Sequence, residues 1–147
     1  MIIYLGTDHA GFELKEFLKE SLVQRGFNVD DQGAYQYDAK DDYPDFIIPV
    51  ACKVSSDVGS RGIILGGSGQ GEAIVANKIK GVRAAVYYGG PTEIVKLSRL
   101  HNDANILSLG ARFLDNNKAF EVVIDWLSID FEEGRHIRRL KKIDGAN

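Results

Sequence analysis

At 147 residues and 16.2 kDa the chain has the size of one ordinary domain, 1–147, able to bury roughly 70% of its unfolded surface in a single core. Its composition, 44% hydrophobic and 27% charged with three prolines, excludes a disordered or fibrous protein. A net charge of -3 and a pI near 5.6 leave no concentrated basic face for a nucleic-acid backbone, and without an 18-residue apolar run or a signal-peptide pattern a cytoplasmic protein away from any membrane is expected.

Short apolar runs alternate with helical periodicity along the chain. The first run, Ile2-Ile3-Tyr4-Leu5, ends in Gly6-Thr7-Asp8-His9-Ala10-Gly11. Leu14, Phe17, Leu18 and Leu22 then recur at helical spacing, with Lys15, Glu16, Lys19 and Glu20 facing the other way and Gly26 closing the helix. A short strand over 27–29 leads into a polar stretch, Asp30 to Asp42, and then a helix with Pro44 in its first turn. Cys52 lies in that helix, where a small buried thiol is expected; as the lone cysteine it excludes a disulfide framework and points to a reducing compartment. Gly62-Ile63-Ile64-Leu65 is the next strand, followed by a glycine-rich loop and a helix from about Glu72 to Ile79. A strand over 82–88, a helix over 91–100, a strand over 106–109, and helices over 116–127 and 134–143 complete the chain. Five strands interleaved with helices predict an α/β fold, a three-layer αβα sandwich around a parallel sheet.

Right-handed crossovers put every strand-to-helix loop at one edge of such a sheet, where ligands bind. Three of these loops carry polar chemistry: Asp8-His9 after the first strand, Gly66-Gly67-Ser68-Gly69-Gln70-Gly71-Glu72 after the third, and Gly110-Ala111-Arg112 after the fifth. The glycine loop is neither familiar nucleotide motif. A Walker loop spanning Gly66 to Gly71 would need lysine where Glu72 stands, and a carboxylate there repels phosphates. A dinucleotide fingerprint read from Gly67 would need glycine at the same position. What the loop does offer is a nest of backbone N–H groups beside a carboxylate. That is equipment for removing a proton alpha to a carbonyl and holding the resulting oxyanion. Burial would raise the pKa of Glu72 and the helix start would lower it, and the sequence leaves that balance open.

The chain also carries Gly6-Thr7-Asp8-His9-Ala10-Gly11-Phe12-Glu13-Leu14-Lys15, Asp42-Tyr43-Pro44, Ala76-Asn77-Lys78, Arg99-Leu100-His101-Asn102-Asp103 and Gly134-Arg135-His136. With the glycine loop, these motifs run in order from about Ile2 to Ile143 and resemble the ribose-5-phosphate isomerase B family. That wider family includes galactose-6-phosphate isomerase subunits and enzymes acting on other aldose phosphates. The resemblance implies a Rossmann-like fold, no metal or nucleotide cofactor, and a homodimer, sometimes a tetramer, with active sites at the subunit interface.

It also implies roles. One branch of the family uses a cysteine directly after the third strand as its base, but here that position is Gly66. The loop instead resembles the branch whose glutamate takes the proton, so Glu72 inherits that role. Ser68 would move a proton between O1 and O2 of the substrate, and the N–H groups of Gly67, Gly69 and Gly71 would hold the cis-enediolate. His101, reaching in from a neighbouring subunit and assisted by Asp8, would open the sugar ring, with Asn102 on substrate hydroxyls. Tyr43 would line the pocket. His9, Arg135 and Arg139 would hold the phosphate, with Arg112 a further contact, also expected from the partner chain. Thr7 and Gln70 depart from residues common in the family, serine or cysteine and asparagine, which blurs the choice between pentose and hexose phosphates such as allose 6-phosphate and galactose 6-phosphate. A non-catalytic phospho-ligand module is the other class the residues allow.

Overall fold

The computed structural model describes residues 1–146. Its apolar runs form one sheet of five parallel strands: β1 (Ile2–Thr7), β2 (Asn28–Asp31), β3 (Arg61–Gly66), β4 (Ala84–Tyr87) and β5 (Ile106–Gly110), in the order β2-β1-β3-β5-β4. Six helices connect and flank them: α1 (Phe12–Gln24), α2 (Pro44–Ser56), α3 (Gln70–Ala76), α4 (Glu93–Leu100), α5 (Asn116–Leu127) and α6 (Arg135–Asp144).

The continuous apolar runs resolve into two alternating sets because successive side chains of a strand point to opposite faces. Ile3, Leu5, Ile63, Leu65, Leu107 and Leu109 face one layer, against Leu14, Leu18 and Leu22 of α1, Val95 of α4 and Val122, Val123 and Trp126 of α5. Tyr4, Ile64 and Ile106 face the other, against Ile47, Val50, Ala51 and Val54 of α2 and Ala76 of α3. Both faces of the sheet are thus covered, which is the Rossmann-like three-layer αβα sandwich expected. Among the described residues no helix is long and apolar enough to cross a membrane.

Several boundaries differ from expectation for local reasons. α3 begins at Gln70 and stops at Ala76, because the Asn77 side chain turns outward to bracket the start of β4, donating to the carbonyl of Ala84 and accepting from its N–H. β2 runs on to Asp31 because its carboxylates have cationic partners: Lys53 on Asp30, and Lys15 and Lys19 on Asp31. Cys52 is exposed, not buried. The inward stripe of α2 is Ile47, Val50, Ala51 and Val54, and a residue one step past Ala51 on a helix turns about 100° away from that stripe.

Chain order and sheet order together locate the ligand edge. From β1 the chain steps outward to β2 and then crosses back to β3, so the connections leaving β1 and β3 diverge and open a crevice above their C-terminal ends. In a parallel sheet, helices return to the opposite edge. The residues that follow a strand and those that follow a helix therefore lie roughly 15–20 Å apart, about one strand length.

Candidate active site

The crevice between β1 and β3 is a pocket of about 400 Å³ lined by Asp8, His9, Ala10, Tyr43, Gly67, Ser68, Gly71, Glu72, Arg112 and Phe113. A larger cleft of about 690 Å³ lies at the other end of the sheet, beside Arg83, Asn102 and Asp144, but it contains no carboxylate beside a glycine loop. The smaller pocket is therefore the candidate site.

Glu72 is its distinctive residue. It sits in the first turn of α3, only 4% exposed, with its carboxylate laid against the backbone of Gly66. A Cβ on Gly66 would lie 1.8 Å from Glu72 Oε1, so any side chain at 66 would take the space the carboxylate fills. A cysteine base at 66 and a glutamate base at 72 are thus alternative occupants of one volume. Burial raises the pKa of Glu72, and the neighbouring Asp8 charge acts the same way; its own backbone N–H opposes them and loses. The balance left open by the sequence thus falls on the side of burial, toward a carboxylate that holds a proton more readily than an exposed one.

The loop that delivers Glu72 is held from below. Gly69 caps α3 in the left-handed region (φ 77°), where a Cβ would meet the Leu109 carbonyl carbon at 2.9 Å. Its carbonyl accepts from the buried Ser108 hydroxyl at 2.6 Å. Ser68 Oγ accepts only a long bond from the Gln70 N–H, at 3.3 Å, and its hydroxyl hydrogen is available to a substrate oxygen. Thr7 is buried and donates to the Leu65 carbonyl at 2.9 Å, tying β1 to β3 beneath the pocket.

The β1 loop forms the opposite wall. Asp8 is buried and accepts from the Ala10 N–H at 2.9 Å, which opens a short 3-10 turn over His9–Gly11. His9 Nδ1 donates to Asp41 at 2.7 Å, and that hydrogen bond is the chief reason its pKa is raised. Tyr43 and Arg112 close the sides, with the Arg112 N–H donating to the Gly67 carbonyl at 3.2 Å. Arg112 was expected from a partner chain; it lies in the pocket of its own chain because β5 pairs with β3 and ends beside the glycine loop. Tyr88 and Phe113, both at least half exposed, pack ring against ring at the rim with centroids 6.1 Å apart.

Four expected site residues are elsewhere. His101 ends α4, at the edge of the sheet where strands begin, and the adjacent Asn102 carbonyl accepts from Arg83 just ahead of β4. There the His101 ring stacks on the buried His136 with centroids 4.4 Å apart, and its Nε2 lies 3.4 Å from Glu132. Burial, then the charges of His101, Arg135 and Arg139, lower the pKa of His136. Arg135 and Arg139 are exposed one turn apart on α6. The two imidazole planes are nearly parallel, at 10°, so their in-plane lone pairs do not converge on one cation despite the adjacent carboxylate.

Asp41, which holds the pocket's His9 from behind, was passed over by sequence reasoning. Its signal was its place at the end of the polar stretch, directly before Asp42-Tyr43-Pro44.

The chain is similar to known proteins in sequence and fold. Residues 3–143 match the family model described as Ribose/Galactose Isomerase. The chain is 43% identical to ribose-5-phosphate isomerase B of Mycobacterium leprae, covering 95% of this chain and 86% of that protein. It is 42% identical to the probable ribose-5-phosphate isomerase B of Mycoplasma genitalium, covering 96% and 92%. The crystal structure of the latter organism's ribose-5-phosphate isomerase B with bound ribulose-5-phosphate superposes with a TM-score of 0.94 at 40% identity, over 99% of this chain and 95% of that one. The Clostridium thermocellum ribose-5-phosphate isomerase B structure gives 0.93 at 42% identity, over 99% and 97%.

Proposed function

Because this chain belongs to the ribose/galactose isomerase family, we propose that it interconverts D-ribose 5-phosphate and D-ribulose 5-phosphate, with Glu72 as the base. The observation that carries the reading is the buried Glu72 carboxylate seated on Gly66 beside the 67–71 loop, at the crevice where the topology places a ligand.

The chemistry follows from the groups at hand. Once the ring is open, Glu72 removes the proton from C2. The C–H electron pair becomes the C1–C2 double bond, and the carbonyl π pair moves onto O1, where the N–H groups of Gly67, Gly69 and Gly71 face it. Ser68 relays a proton from O2 to O1. Glu72 returns its proton to C1, leaving the ketone at C2. The proton shifts reduce C1 and oxidise C2 within one molecule, so the steps need no external oxidant or reductant and call on no metal or cofactor. His9 and Arg112 provide the pocket's cations for the phosphate.

Ring opening calls on His101 and Asp8, and the strand length between them means that His101 would come from a second copy. We therefore assign the working form as a homodimer with shared sites, or a tetramer built from it. Asn102 would accompany His101 onto the substrate hydroxyls, and Arg135 and Arg139 would reach the phosphate. The apolar rim of Tyr88 and Phe113 supports a covering partner. The span 1–147 would act as one isomerase unit in the cytoplasm, where its single exposed thiol stays reduced.

The test incubates pure protein and EDTA separately with ribose 5-phosphate, allose 6-phosphate and galactose 6-phosphate, following ketose formation. Turnover led by the pentose is expected. A hexose phosphate turned over faster would reassign the substrate, and no turnover of any would reduce the pocket to a phospho-ligand module.

A further inference from the structure

Asp41 has no part in the chemistry above, yet it makes the closest contact to the pocket's histidine. Its Oδ1 accepts twice from His9, from the backbone N–H at 3.0 Å and from ring Nδ1 at 2.7 Å. Its other oxygen is buried and has no partner among the described residues. A carboxylate can only accept, so Nδ1 carries a hydrogen and Nε2 is the one ring atom left for a ligand. Neutral, Nε2 would present a lone pair and repel a phosphate oxygen; protonated, it donates a charge-assisted hydrogen bond.

We propose that Asp41 is a positioning residue that holds His9 as an imidazolium with Nε2–H presented to the substrate phosphate, so that phosphate capture persists to higher pH than a histidine without that partner would allow. The proposal rests on reading His9 as a phosphate ligand.

The surroundings agree. Around the His9 ring stand Asp41 from the segment after β2, Asp8 with Oδ2 3.9 Å from Nδ1, Arg112 from the turn after β5, and Tyr37 edge-on with centroids 6.3 Å apart; Glu72 and Tyr43 share the pocket. The Asp41 hydrogen bond is the largest influence and favours the cation, as does Asp8, while burial and Arg112 work against it. Asp41 itself is anchored. Its N–H donates to the Asp38 carbonyl, and the segment's start is laced to the end of β1 by Gln32 N–H to Leu5, Thr7 N–H to Gly33 and Ala34 N–H to Thr7, each 2.8 Å. Fully buried Lys15 clamps the same stretch, donating to both Asp31 oxygens and the Ala34 carbonyl.

Asp41→Asn separates charge from shape, since the amide oxygen still accepts from the His9 N–H. The experiment titrates the His9 ring by NMR in wild type and in this variant, with His9→Gln to assign the signal. It then measures kcat and KM for ribose 5-phosphate across pH, and binding of inorganic phosphate. In wild type His9 is expected to titrate above an ordinary histidine, and in Asp41→Asn at lower pH. KM of the variant should rise roughly tenfold on the alkaline side, the scale of one charged hydrogen bond, with kcat little changed and the two proteins converging in acid, where His9 is protonated in both. Asp41→Glu, which keeps the charge, should retain most of the wild-type profile. A wild-type His9 titrating at or below the ordinary value overturns the proposal whatever the variants do. So does a KM rise equal at every pH, which would mean that Asp41 only shapes the segment. If the wild type turns over no sugar phosphate, the isomerase reading falls instead, while the NMR titration and phosphate binding still decide the role of Asp41.

Discussion

Glu72 and His101 each lie close to the end of a regular element, but of opposite kinds. Glu72 follows a strand, β3, and in a parallel sheet the strand ends gather at one edge; His101 follows a helix, α4, and helix ends gather at the other. One chain accordingly completes the pocket around Glu72, with Asp8, His9, Tyr43, Ser68 and Arg112 in place. The region around His101 holds its histidine against His136 and Glu132 with no base of the Glu72 kind beside it. The contrast teaches that local motif order does not decide which residues share a substrate. In the shared-site reading proposed above, two half-sites built by one fold become one site where a second copy brings its helix edge to the first copy's strand edge.

The sharpest way to probe the strand-edge half is Glu72→Gln. It should lower kcat at least ~100-fold with KM nearly unchanged, as expected for loss of a general base. Stability should move the other way. Because the folded pKa of Glu72 lies above its unfolded value, the stability linked to its protonation is present below the unfolded value and lost as pH rises through the folded one. The glutamine variant escapes that loss, so thermal melts should show it more stable than wild type at neutral pH and no more stable in acid. A near-normal kcat would reassign the base.

The helix-edge half is broken by His101→Asn, expected to cost roughly 100-fold in kcat on ring-closed substrate. Mixing Glu72→Gln and His101→Asn proteins tests the joining of the halves. In a mixed dimer one site collects both changes and the other neither, so random exchange should restore about a quarter of the wild-type rate. Exchange without rescue would leave each copy's site self-contained and remove His101 from it.

Lys15→Met tests the frame behind the strand-edge pocket alone. Lys15 is fully buried and donates to both oxygens of Asp31, and breaking a buried pair costs about 3 kcal/mol, read by denaturant unfolding. Burial opposes ionisation of Asp31, but the Lys15 hydrogen bond, the Gly33 N–H and Lys19 outweigh it and lower its pKa. That contribution is present above the unfolded value and lost as pH falls through the lower folded one, so the variant should lose less stability than wild type on acidification. An unaltered acid limb would mean that Lys19 alone holds Asp31.

Legibility in the sequence followed the same division. The five strands and the packing stripes could be read because burial on both sheet faces leaves unbroken apolar runs and helical periodicity. The strand-edge site could be read because topology sends the loops after β1, β3 and β5 to one place. What escaped was decided by side chains across space. The partnership of Asp41 with His9 spans 32 positions inside a stretch that reads only as polar. The stacking of His101 on His136 joins two helices with α5 between them. The placement of Arg112 in its own pocket depends on β5 pairing with β3 rather than lying at the sheet's edge.

The smallest effects belong to the phosphate arginines, and they separate the two regions most cleanly. Arg112 is in the pocket of its own chain, so Arg112→Ala should raise KM about tenfold at any protein concentration. Arg139 is exposed on α6, away from the pocket, and in the reading proposed above it would reach a phosphate only across an assembly. Arg139→Ala should therefore raise KM several-fold when the protein is associated. Upon dilution the wild type should lose activity as its copies separate, and the gap between it and the variant should close. Measuring both KM values alongside the association state over a dilution series decides the matter. An Arg139→Ala effect that persists in the separated chain would bring α6 into the pocket of its own copy, and no effect in either state would leave the basic face of α6 to the solvent.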